Sequence, residues 1–209
     1  MKIITPLENI VVEKNQKVIF LAGPTYRITS EVRTHWHKSW RKEIHDLVIS
    51  DPMFEDIILA APEYITEPPK DWSYSRQVSW ERKWLELADI ILFWIPRSEE
   101  LPAYTTNIEI GQYIVSDKIV VGGNDHPRNN YIKEVLAQKG DTWNTNIEDC
   151  INSIKFKLDE SCKSKIWFTS DTHFGEDRTN SLSKRPYSDG KEMSWDLVKN
   201  WNIHVSNKI

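Results

Sequence analysis

Cysteine is nearly absent from this chain, and the two present, Cys150 and Cys162, stand twelve apart in a polar, helical-looking stretch with no C-x-x-C. That spacing excludes a cysteine zinc site and a disulfide framework, and it reads as reduced thiols of a cytosolic protein. Long apolar runs are missing too. The longest, Ile90 to Ile95, falls far short of the roughly 20 residues a membrane helix needs. The N-terminal stretch MKIITPLENIVVEKNQK has no apolar signal-peptide core, so the chain is expected to be soluble and cytoplasmic, with no membrane partner. There is no excess of positive charge: the net charge is -4, which argues against nucleic acid as a partner. A small anionic ligand needs only one or two local donors and stays open. Neither a G-x-x-x-x-G-K-[ST] loop nor a G-x-G-x-x-G fingerprint occurs, which removes the common phosphate cradles. No G-x-S-x-G elbow and no internal repeat are visible either.

What the chain does have is tryptophan, ten in 209 residues. Each pairs a large apolar face with one N–H donor and suits both core packing and pockets for flat rings. It also has short apolar runs in a regular rhythm. Val18 to Ala22, closed by Gly23-Pro24, reads as a buried strand. So do Asp56 to Ala61, ended by Pro62-Glu63; Ile90 to Ile95, stopped by Pro96; and Ile119 to Val121, closed by Gly122-Gly123. Between them lie helical spacings: Trp36, Trp40, Ile44, Leu47 and Val48, with Ser30 as a cap; Val78 to Ala88; Ile108 to Val115; Tyr131 to Gln138; and Asn146 to about Ser161. Strands that are apolar throughout and alternate with helices predict a parallel sheet covered on both faces, an α/β fold. Ligands of such sheets sit beyond the carboxyl ends of the strands.

Carboxylates near those ends are the candidate chemistry. Glu109 is expected in the first turn of the helix that follows the Ile90 strand, where burial and helix dipole oppose each other in setting its charge. Glu81 lies in the preceding helix beside Trp80. A pair in which one carboxylate attacks and the other manages the proton is what retaining glycosyl transfer requires.

Four blocks in order carry a resemblance: Phe20-Leu-Ala-Gly-Pro24, Trp80-Glu81, Ala88-Asp-Ile-Ile-Leu-Phe-Trp-Ile-Pro96 and Thr105-Thr-Asn-Ile-Glu-Ile-Gly111. Together they resemble the nucleoside 2-deoxyribosyltransferase family, in its broader phage and bacterial branch. The resemblance implies a flavodoxin-like doubly wound sheet and a domain over 1–162. It implies Glu109 as the nucleophile that forms a covalent glycosyl intermediate, with Glu81 contacting or protonating the base. It also implies a substrate pocket shaped by Gly23, Pro24, Trp80, Asp89, Trp94, Thr106, Asn107 and Gly111. The ligands are then a nucleoside or nucleotide and a free base, with no cofactor, in a homo-oligomer. Where the best-studied members carry an Asp, this chain has Ala103, which leaves sugar specificity open and motivates a non-catalytic nucleotide-binding module as an alternative.

From Lys163 the pattern begins afresh. Ile166 to Ser170 is strand-like, a polar loop runs to Arg185-Pro186-Tyr187, and a helix is expected from about Glu192 to Val205. The span 163–209, about 45 residues, is too short for an independent core. Trp167 to Gly175, with Arg185-Pro186 and Asn200-Trp201-Asn202, resembles the opening of a calcineurin-like metallophosphoesterase. That resemblance implies an incomplete α/β segment in which Asp171 and His173 are ligands for divalent Mn, Fe or Zn. It gives a second alternative, a metal-dependent phosphoesterase with an accessory N-terminal domain.

Overall fold

The computed structural model describes residues 1–6, 8–26, 34–68, 70, 73–159 and 172–204, with backbone alone from 200. The chain divides into two compact units, Met1–Glu160 and Ser161–Ile209. In the first, β1 (Lys2–Ile4), β2 (Lys17–Ala22), β3 (Ile57–Ala60), β4 (Ile90–Trp94), β5 (Ile119–Gly122) and β6 (Trp143–Asn144) form one all-parallel sheet. Its spatial order is β1-β3-β2-β4-β5-β6. Without the short first strand this is the flavodoxin-like order.

The apolar runs form strands because both faces are covered. β3, β4 and β5 are buried at every position, and β2 at all but its first. Alternate residues point to opposite layers. Phe20, Ile91, Phe93 and Val121 meet one layer, with α2 (Tyr74–Leu87), α3 (Tyr104–Tyr113) and α4 (Asn130–Lys139). Ile19, Leu21, Leu92 and Val120 meet the other, with α1 (Trp40–Val48) and α5 (Ile147–Leu158). Each fully buried aliphatic side chain stabilises the sheet by roughly 1.5–3 kcal/mol. Cys150 of α5 is fully buried, and its sulfur lies 2.8 Å from where a Cβ on Gly122 would stand.

Several local expectations change. α1 starts at Trp40, its cap being Ser39, whose Oγ accepts from the Arg41 N–H at 3.2 Å; Ser30 lies outside the described residues. Trp36 belongs to a short 3₁₀ turn, and Leu47 is exposed. α3 begins five residues before Glu109, which therefore sits in its second turn, beyond the first-turn N–H groups that favour an anion. β1 and β6 have too few residues to show a period, and only their pairing defines them.

In the second unit, the polar loop before Arg185 contains a helix, α6 (Asp177–Leu182), and the last helix, α7, spans Gly190–His204. The strand expected over 166–170 lies outside the described residues, as do Cys162 and Asp171.

Candidate active site

Between β2 and β4 the sheet reverses its winding: β3 lies on one side of β2 and β4 on the other. The loops leaving the two strands must diverge there, which opens a crevice at their carboxyl ends. Gly23, just past β2, has φ 150, and a Cβ there would collide with the carbonyl oxygen of Trp94, just inside the end of β4. Only glycine lets the two strand ends approach this closely. Pro24 is buried, and its carbonyl accepts from the Trp40 indole N–H at 3.0 Å.

Under this turn lies Arg41, fully buried. Its Nε donates to Leu21 O at 2.9 Å and its Nη2 to Gly23 O at 2.8 Å. Its Nη1 reaches Thr25 Oγ1 at 2.9 Å and Glu63 Oε2 at 3.1 Å. Glu63, three residues past β3 and also buried, accepts from Ser39 Oγ at 2.5 Å. The guanidinium thus ties the ends of β2 and β3 to the start of α1. Burial alone pulls its pKa down, against the pull of Glu63, Glu81 and Glu109, and an arginine still keeps its charge.

Glu81 and Glu109 enter from α2 and α3, both half-buried. Burial pushes Glu81 above the usual carboxylate range, against the Gln77 amide, which donates to its Oε1 at 2.9 Å, and the Arg41 charge. Glu109 is pushed up to about 7, first by burial, then by the charge of Glu81, with Arg41 pulling the other way. Burial and the helix dipole oppose each other at Glu109; in the second turn the dipole is remote and burial wins. The charge of Glu81 thus adds to burial in holding the proton on Glu109, and the buried cation of Arg41 opposes both. Such a group of perturbed acids in a crevice is a signature of chemistry.

The other expected site residues scatter. Thr106 is buried on the core side of α3, its hydroxyl unpartnered among the described residues. Residues two apart on a helix lie about 200° around its axis. Asn107 and Gly111 therefore point away from the flank that carries Glu109. Asn107 accepts from Arg97, and around Gly111 there is open space. Trp80 packs in the core on Phe20 and Trp84, its indole donating to Glu8 O at 3.1 Å. Asp89 stands at the amino end of β4, opposite the crevice, where it accepts from Val18 N at 2.9 Å and pairs with Lys17. Its position serves strand pairing. Trp94 faces the α1 and α5 layer and, with Tyr26, Trp40 and Leu101, walls a cavity of about 370 Å³.

Arg41, Glu63 and Arg97 were not foreseen. Pro62-Glu63 was visible as a strand end, and Arg41 follows directly on an apolar-stripe tryptophan, but neither cue names a role. In the second unit His173 has φ 50 and its Nδ1 bonds to Glu176. Among the described residues no group of three or more His, Cys, Asp or Glu side chains is placed to hold a metal.

No helix of the described residues is long and apolar enough to cross a membrane. No curated protein matches the chain. The family model described as nucleoside 2-deoxyribosyltransferase like matches residues 16–126, more than half of the chain and the whole of β2 through β5, and nothing comparable supports the phosphoesterase resemblance of the second unit. The chain belongs to the nucleoside 2-deoxyribosyltransferase-like family.

Proposed function

We propose that the first unit cleaves or transfers the N-glycosidic bond of a nucleoside or nucleotide through a glycosyl ester on Glu109. An oxygen of the Glu109 carboxylate attacks the anomeric carbon as the bond to the base breaks, and Glu81 delivers a proton to the departing nitrogen. Water or a second base then attacks the same carbon, returns a proton to Glu81 and releases Glu109. The buried charge of Arg41 helps keep one carboxylate ionised while the other holds its proton. The observation that carries this reading is the Glu109 carboxyl, half-buried at the switch-point crevice and raised to about 7 by burial and by the charge of Glu81. The family supports glycosyl transfer on nucleosides as the class of reaction.

The test is incubation with purine and pyrimidine deoxynucleosides and their monophosphates, with and without an acceptor base. Base release or exchange is expected from the native protein, and its loss, by at least roughly 10³-fold, in Glu109→Ala. Equal release by both proteins sinks the reading. Tight nucleoside binding with no product over hours leaves a binding module instead.

A homo-oligomer belongs to the same proposal. Tyr104 and Ile108 on α3, with Val115 two residues past its end, are exposed apolar side chains on either side of Gly111, as expected of a helix that packs against another copy. A monomeric mass in sedimentation equilibrium at micromolar concentration counts against it.

A further inference from the structure

Glu109 accepts no hydrogen bond among the described residues. Its aim therefore depends on where α3 lies and how the helix is rolled. Local sequence does little to fix either. The residue before α3, Ala103, is held in the left-handed region at φ 58, and no side chain caps the helix. Left-handed backbone at a non-glycine residue persists only where its surroundings enforce it.

The surroundings that do so centre on Arg97, which is only 4% exposed. Its Nη1 donates to Pro102 O at 2.7 Å, directly before the helix. Its Nη2 donates to Asn107 Oδ1 at 2.5 Å, in the first turn. Its Nε donates to Asn129 Oδ1 at 2.5 Å. Asn124 brackets its backbone, accepting from the N–H at 2.9 Å and donating to the carbonyl at 2.8 Å. Asn129 in turn donates to Ile95 O at 3.3 Å and Asn124 O at 3.1 Å. One end of this network is anchored past β4 and β5, and the other grips α3 twice. An arginine presents donors only, so it also dictates that Asn107 turns its carbonyl oxygen inward. A lysine, with a single ammonium on a flexible stem, cannot span the three acceptors.

We propose that Arg97 is a positioning residue for Glu109, fixing the entry and roll of α3 by holding Pro102 and Asn107 on the flank opposite the carboxylate. This rests on the reading of Glu109 as nucleophile. A displacement of 1 Å at a reacting group costs on the order of 10²-fold in rate. Loosening the far flank therefore appears in kcat rather than in substrate binding.

The experiment measures kcat and KM for base release in the native protein, Arg97→Lys, Asn107→Ala and Asn107→Asp, with a thermal melt of each. Arg97→Lys and Asn107→Ala are expected to lose roughly 10- to 100-fold in kcat with KM little changed. Asn107→Asp keeps an acceptor for Arg97 and should retain most of the native kcat. A purely structural arginine lowers the melting temperature and leaves kcat per folded molecule alone, which overturns the proposal. So does an Asn107→Asp as damaged as Asn107→Ala with a raised KM, since Asn107 then meets the substrate itself. If Arg97→Lys does not fold, the Asn107 pair decides. A native protein that is active, with Glu109→Ala dead and this series flat, removes the positioning role alone. A native protein that releases no base from any nucleoside removes both readings.

Discussion

At the scale of the residue, Glu109 shows one titration with two opposite consequences. Its folded pKa, about 7, lies above its unfolded value near 4.3. The protonated form is thus the one the folded state favours, and that favour is complete below the unfolded value and lost as pH rises through about 7. Under the proposed mechanism the attacking form is the anion. The rate of base release should therefore climb as Glu109 ionises, over the interval in which stability declines, for as long as Glu81 keeps its proton. Glu109→Gln removes the titration. It is expected to be inactive yet more stable than the native protein above pH 7, by about 1–3 kcal/mol after allowance for partial exposure, with little difference at pH 4. Melting temperatures at pH 4 and pH 8 read this directly. Equal shifts at both values contradict a raised carboxyl.

At the scale of the element, the turns and helix starts matter more than the strands they join. Gly23→Ala puts a methyl group onto the Trp94 carbonyl and asks an L residue to adopt φ 150. Backbone cannot step aside as a flexible side chain does. A loss of at least about 2–4 kcal/mol is expected in urea unfolding, because the ends of β2 and β4 must separate. An unchanged midpoint means the strands lie farther apart than described. The strands were legible in sequence because burial on both faces demands runs such as Ile90 to Trp94, and the helices because Ile44 and Val48, or Ile151 and Ile154, recur with the turn. β1, β6 and the true start of α1 were not, since pairing partners and a single serine hydroxyl decide them. Part of the candidate site was legible. Glu109 and Glu81 stood out as carboxylates near strand ends, supported by ordered motifs. Asp89, Asn107 and Gly111 were drawn in by nearness along the chain, which a helix turns into opposite flanks and a strand into opposite ends. Arg41, Glu63 and Arg97 act through burial and hydrogen-bond partners far away in sequence, and no local pattern encodes these.

At the scale of the whole molecule, the first unit owes its cohesion to apolar burial on both faces of one sheet. In Met1–Glu160 the apolar residues of six strands and five α-helices make two continuous layers. Among the described residues of Ser161–Ile209, Met193 is buried, and polar bonds join neighbouring segments, such as Asn180 to Tyr187 O at 2.6 Å and Tyr187 to Asp196 at 2.8 Å. Bonds of that kind exchange readily with water and give small net stability.

The seating of Cys150 against Gly122 makes the sulfur a reporter of the first unit's burial. Burial pushes its thiol up to about 12, so the reactive thiolate is scarcely formed. Oxidants and electrophiles meet this sulfur only when α5 lifts from β5, and each adduct there records one breach of the sheet.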